Sequence, residues 1–213
     1  ARVGYTLDVT RGDEVWNSSQ VWYMPFDDMN DPVTDEISMW PWREAYYTIN
    51  VCNFILSRTT GDDASLSESM KRIKGQALFL RGYSYYTLAG YYQNPALITD
   101  YANYSSLDGL YGKNSTYDDV LDQVEKDFAE AMTLLPSRDA GGEWAKGRAT
   151  CGAAAGYYAR TLMQRHKYSD ALTVLKDIMN KKYGSYKLMA NYGDNFREGS
   201  AYENNDESLF EIQ

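Results

Sequence analysis

Tyr117, Val120, Leu121, Val124, Phe128, Ala131 and Leu135 recur at steps of three and four residues. That spacing lays one apolar stripe along an α-helix, whereas a strand would need alternation at every second residue. A stripe of this kind has to be buried against something, so the chain needs partner helices. The sequence supplies them. Trp42, Tyr46, Ile49, Asn53 and Leu56 predict a helix to about Ser57, which "TTGDDAS" then breaks. Ile73, Ala77, Leu80, Ser84, Leu88 and Tyr91 trace the next. It is expected to start near Ser65, with Glu68 completing a capping box, and to end before Pro95. Thr116 reads as the N-cap of the Tyr117 helix, with Asp118 and Asp119 at its positive end. Two more helices are predicted over about 150–165 and 169–180, the second with Ala171, Leu172, Leu175 and Ile178 facing inward.

Two segments resemble each other. "GYSYYTL" at Gly82 parallels "GYYARTL" at Gly156. Each is followed by a helix with an early tyrosine and a later alanine, which is the logic of a helix-pair repeat of the tetratricopeptide kind. Gly75 and Gly82 each cost roughly 1 kcal/mol against alanine in a helix, a cost tolerated where a neighbouring helix approaches closely. The crowded tyrosines of "FLRGYSYYTLAGYYQNP" are read mainly as packing between repeats. The fold class is therefore all-α: tetratricopeptide-like helix-pair repeats, an alpha-alpha superhelix, with long loop insertions and a short strand at the C-terminal end. Three regions are expected. Residues 1–41 are loop-rich, 42–182 carry the repeats, and 183–213 form a loop and the start of a strand at "ESLFEIQ". A strand needs a pairing partner, so that partner is expected from a further part of a larger protein or from another chain.

The formal net charge of −9 over 213 residues disfavours nucleic acid, which requires a basic face. No run approaches the roughly 20 apolar residues of a membrane span. Chemistry is sparse. His166 stands alone at a helix end, where a cation is stabilised, and no nucleophile constellation lies near it. There is no phosphate loop, zinc spacing or calcium loop, so no metal and no cofactor is expected. The acid pairs Asp27–Asp28, Asp62–Asp63 and Asp118–Asp119 are sequence neighbours, which cannot face each other across a sugar as a glycosidase requires. Cys52 and Cys151 fall on apolar helix faces, and buried free thiols are favoured over a disulfide.

The chain has 20 tyrosines and 5 tryptophans. Several aromatics lie in loop-like segments, among them Trp16, Trp22, Tyr23, Phe26, Trp40, Tyr101, Tyr104, Tyr111 and Trp144. An aromatic ring can stack on the C–H face of a sugar while Asn, Asp and Arg bond its hydroxyls. Trp22 and Tyr23 near Asn30, and Trp40 near Arg43, make candidate ligand-binding platforms. The alternative is that each ring closes the core beneath a loop.

Four stretches carry a resemblance. They are "WREAYYTINVCNFIL" with Asn53, "KGQALFLRGYSYYTLAGYYQNPAL", "YDDVLDQVEKDFAEAMTLLP" with "GRATCGAAAGYYARTLM", and "ESLFEIQ". Together, from about Trp40 to Gln213, they resemble the N-terminal portion of SusD-like (RagB/SusD) proteins, the surface glycan-binding lipoproteins of Bacteroidetes. "YYQNP" departs from the family's usual glycine and acid, which implies a changed loop shape. The resemblance implies a non-enzymatic nutrient-uptake protein at the cell surface of the outer membrane, lipid-anchored through an N-terminal cysteine that this sequence does not show. It implies a SusC-like TonB-dependent transporter as partner, and a glycan or, in some members, a peptide as ligand. Family members are more than twice this long, so part of the binding surface is expected outside these residues. A helical-repeat adaptor binding protein or peptide is the alternative.

Overall fold

The periodic segments are helices in the computed structural model, which describes residues 9–12, 23–30, 36–144, 146–199 and 202–211. Its α-helices are α1 (Met24–Asp27), α2 (Glu36–Arg58), α3 (Glu68–Tyr92), α4 (Leu107–Leu110), α5 (Tyr117–Leu134), α6 (Cys151–Gln164) and α7 (Tyr168–Met179). No strand occurs among the described residues. The chain divides into two units, Ala1–Thr48 and Ile49–Gln213. In the first, Phe26 and Ile37 are buried together with Tyr23 packed against them. The Arg11 guanidinium lies 5.5 Å from the Phe26 ring centre. Helix α2 starts at Glu36, earlier than the Trp42 start expected, and carries Pro41 within it, where proline removes one helical hydrogen bond.

The second unit is a helical array. Helix α3 packs on α5, α5 on α6 and α6 on α7. The apolar stripe of α5 is the keel of this array. Val120, Leu121, Val124, Phe128 and Ala131 have no exposed surface, and Leu135 is buried. Burying side chains of this size stabilises by about 1.5–3 kcal/mol each. Thr116 caps the helix, its hydroxyl accepting from the Asp119 amide at 3.2 Å.

Glycine sets the α3–α5 spacing. A Cβ on Gly75 would lie 2.8 Å from a Leu135 methyl and 3.1 Å from the Leu134 Cβ. On Gly82 it would lie 3.2 Å from the Asp127 Cβ and from the Phe128 ring. Tyr83, Tyr85 and Tyr86 of the same helix pack as expected, while Tyr91, read the same way, is exposed. Tyr85 is fully buried. Tyr157 of α6, the counterpart of Tyr83 in the repeated motif, meets Tyr83 edge-on at 5.4 Å and stacks on Phe128 at 5.6 Å. Phe79 and Tyr86 pack edge-on against the same ring. Edge-on and offset pairs of this kind add about 0.5–1.5 kcal/mol each beyond area burial.

Four expectations are corrected. Helix α3 begins two residues later than expected, and Ser67 caps it by accepting from the Met70 amide, so there is no Ser65–Glu68 box. Its buried residues surround the helix, while Ile73, Leu80 and Tyr91 of the expected stripe are exposed. A helix covered on several sides loses a single apolar face. In α7, Leu172 and Leu175 point outward and Val174 joins Ala171 inside. That helix is apolar over so wide an arc that spacing alone leaves its phase open. Finally, residues 207–211 of the expected strand form none, and residues 212–213 lie outside the described residues. Arg138 takes up the Ser208 carbonyl, an acceptor a ladder would need, together with those of Asn204 and Asn205 just before the segment. Phe210 packs on Phe79 at 5.0 Å.

One buried ion pair locks the array. Arg81, on α3, donates to both carboxylate oxygens of Asp127, on α5, from Nε at 2.8 Å and Nη2 at 2.7 Å. Gln123 Nε2 donates to the same carboxylate at 2.7 Å. Arg81 is 6% exposed and Asp127 1%. Burial pushes the Asp127 carboxyl up from its usual range, and the donors on Arg81 and Gln123 pull it back. Burial weighs against the Arg81 charge, but Asp127 outweighs it and raises the guanidinium further. Removing one partner leaves an uncompensated buried charge. Asp127→Ala is therefore expected to cost about 3–5 kcal/mol in urea unfolding, and the double replacement Arg81→Met with Asp127→Leu to recover most of that loss. An equal loss in both variants would refute this account.

Two further outcomes follow from the packing. Gly75→Ala should destabilise, because the Leu134 Cβ cannot move independently of its backbone. Gly90→Ala should stabilise by up to about 1 kcal/mol, since nothing lies within 4 Å of its Cβ position. Thermal unfolding of the two variants checks the opposite signs. Cys52 and Cys151 are buried free thiols. Burial pushes Cys52 up to about 12, opposed only in part by Arg81, and burial also raises Cys151. Neither should react with a thiol reagent at neutral pH in the native protein, and both should react once it is unfolded.

Candidate functional site

The buried network reaches beyond the helices. Asn53, on α2, accepts from Arg81 Nη1 at 2.9 Å and donates through Nδ2 to the Ile98 carbonyl at 2.7 Å. The Tyr85 hydroxyl donates to the same carbonyl and accepts from the Ile98 amide, both at 2.8 Å. Arg81 Nη1 also donates to the Thr99 carbonyl at 3.3 Å. A segment with no secondary structure of its own is thus held by side chains from two helices. Its backbone polar groups are satisfied inside the protein, as burial demands.

What that segment carries comes next in the chain. Asp100 caps a single 3-10 turn, Tyr101–Ser105, by accepting from the Ala102 amide at 2.9 Å. The turn presents Tyr101 and Tyr104, with ring centres 5.9 Å apart. Tyr101 meets Phe54 of α2 edge-on at 5.2 Å. The Arg58 guanidinium lies 5.3 Å from the Phe54 ring centre. Phe54 is 42% exposed and Tyr101 38%, and Arg58 and Asn103 are exposed. The result is a rigidly backed aromatic patch, open to solvent and rimmed by polar groups. Such a surface can stack on an apolar ligand face and hydrogen-bond at its edges.

The residues singled out from sequence are distributed differently. Trp22 lies outside the described residues. Tyr23 is half-buried against Phe26 and Ile37, so its ring serves the small core of the first unit. Asn30 is exposed, its amide donating to the Pro25 carbonyl at 2.7 Å. Trp40 and Arg43 are exposed three residues apart on α2, and therefore share one face of it. Of the other loop aromatics, Phe26 and Trp144 are buried. Tyr111 is 82% exposed, and Tyr101 belongs to the patch. Sequence reasoning missed Phe54 and Arg58. Phe54 lies on the predicted helix and Arg58 just past its expected end near Ser57, but the exposure of neither could be read from the sequence.

His166 follows α6 directly, with a positive φ of 59°, and its Nδ1 lies 2.7 Å from the Tyr168 hydroxyl. It closes a helix end. Among the described residues no three His, Cys, Asp or Glu side chains gather into a metal-holding group. None of the described helices is long and apolar enough to cross a membrane.

Residues 4–163 match the family profile of SusD-like proteins described as "Starch-binding associating with outer membrane". No curated protein matches the chain. Among solved structures, a SusD superfamily protein from Bacteroides vulgatus superposes with a TM-score of 0.86 at 24% identity, covering 99% of this chain and 44% of its own. A SusD-like carbohydrate binding protein from Bacteroides fragilis gives 0.68 at 26% identity, covering 87% and 34%. Surface glycan-binding protein A from Bacteroides thetaiotaomicron, solved in complex with laminarihexaose, gives 0.75 at 21% identity, covering 96% and 42%. The chain thus spans less than half the length of these relatives. With most of its residues matched by the family profile and the helical array shared by these structures, the chain belongs to the SusD-like family.

Proposed function

We propose that the chain is part of a non-catalytic, cell-surface glycan-binding protein, lipid-anchored at the outer membrane, that delivers its ligand to a SusC-like TonB-dependent transporter. The observation that carries this reading is the exposed Phe54–Tyr101 pair, with half-buried Tyr104 beside it and the buried Arg81 network behind it, in a member of a family described as starch-binding. The laminarihexaose complex of a relative supports a carbohydrate ligand. The platform reads the flat C–H faces of a sugar through its rings. Trp40 and Arg43, with Trp22, Tyr23 and Asn30 nearby in sequence, are proposed as a second contact patch in the first unit. A peptide ligand is the second reading. It is favoured by the way the helical array already holds an irregular segment of the chain, with Phe210 against Phe79 and Arg138 on the carbonyls of Asn204, Asn205 and Ser208.

The test is calorimetry and affinity electrophoresis against polysaccharides, oligosaccharides and peptides. Tyr101→Ala is expected to weaken glycan binding about tenfold, the loss of one aromatic contact, while leaving the fold intact. Trp40→Ala reports on the second patch. Glycan binding untouched by Tyr101→Ala would remove the patch from the site. Peptide binding without glycan binding would favour the second reading.

A further inference from the structure

We propose that the Phe54–Tyr101 patch takes an acidic glycan, with Arg58 reading a sugar carboxylate beside the aromatic platform. This rests on the glycan-binding reading above and adds the ligand's charge. Arg58, like Arg72 over Trp144 and Arg160 over Tyr86, meets an aromatic ring and no carboxylate among the described residues, whereas other cations of the second unit are ion-paired. Arg81 is bound to Asp127, Arg165 to Asp122 and Glu125, Lys74 to Asp63 and Glu130, and Arg197 to Asp194. Arg58 makes no ion pair among the described residues, and its guanidinium rests on the Phe54 ring. The acids nearest to it in sequence and in the turn are engaged elsewhere. Asp62 accepts from the Ala64 amide, Asp63 pairs with Lys74, and Asp100 accepts from the Ala102 amide.

A guanidinium resting on a ring keeps its planar fork of N–H donors turned to solvent. That fork matches a carboxylate in a two-point contact, which a neutral hydroxyl cannot make. A uronate sugar offers both parts at once, a C–H face for Phe54 and Tyr101 and an equatorial carboxylate for Arg58. The net charge of −9 opposes an anionic ligand at long range. At physiological salt that repulsion is screened beyond about 8 Å, while a contact pair is not. The alternative role for Arg58 is structural. It lies in the last turn of α2, where a cation complements the helix dipole.

Matched ligands separate these roles. Calorimetry would compare oligogalacturonate with its full methyl ester, and a β-glucan oligosaccharide with its C6-carboxylated form. The carboxylate form of at least one pair is expected to bind roughly tenfold tighter, the worth of a charge-assisted contact. Arg58→Gln should abolish that preference, so that the two forms of the pair bind alike. Arg58→Lys should keep part of it. Equal affinity within both pairs, or a preference that survives Arg58→Gln in a folded variant, overturns the acidic-ligand inference while neutral binding keeps the glycan reading. Failure of all four ligands and of the wider glycan panel would instead bring down the glycan reading, and this inference with it.

Discussion

The Arg81–Asp127 pair is the contact on which the other features of the second unit converge. A guanidinium and a carboxylate are costly to bury, and the cost is offset only when every donor and acceptor is used. Here they are used outward in both directions. Asp127 also receives Gln123 on its own helix. Arg81 also reaches Asn53 on α2 and the Thr99 carbonyl. One residue thereby ties three helices and a loop into a single geometry. The glycines of α3 belong to the same arrangement, since Gly82 brings the α5 backbone close enough for Asp127 to meet the neighbouring Arg81.

The candidate site inherits its rigidity from this core. The Ile98–Thr99 segment has no ladder to hold it, and its hydrogen bonds run to Asn53, Tyr85 and Arg81 instead. The turn that follows is capped by Asp100 and carries Tyr101 to the surface beside Phe54, with half-buried Tyr104 next to it. A binding platform on a loop benefits when its backbone is fixed beforehand, because less ordering entropy is lost on binding. The division of labour among tyrosines follows the same line. Tyr85 spends its hydroxyl on the loop, Tyr83 and Tyr86 fill the space around Tyr157, and Tyr101 is left for solvent.

Much of this was legible in the residues. The α5 stripe, its Thr116 cap, the close-approach glycines and the packing role of Tyr83, Tyr85 and Tyr86 all follow from period, capping chemistry and side-chain size. So did the resemblance of "FLRGYSYYTL" to the SusD-like family, although only the contacts explain why the arginine and Asn53 belong to it. The failures share a cause. For α3, α7 and the C-terminal segment, what lies on each face is set by distant parts of the chain. Leu172 and Leu175 pattern as core residues, yet the α6 surface selects Ala171 and Val174. "ESLFEIQ" has the composition of a strand, yet Arg138 and Phe79 offered it other partners.

The sequence by itself determined the long helices and their order, the Thr116 cap and the buried stripe of α5, because period and capping are local properties. It also determined the family. Only the tertiary structure decided which aromatics are core and which are platform. Phe26 and Trp144 look no different in sequence from Tyr101, but burial separates them. Phe54 and Arg58 became candidates only when a turn more than 40 residues away came to rest beside them. Exposure is a property of the whole packed chain, and no short window of residues encodes it.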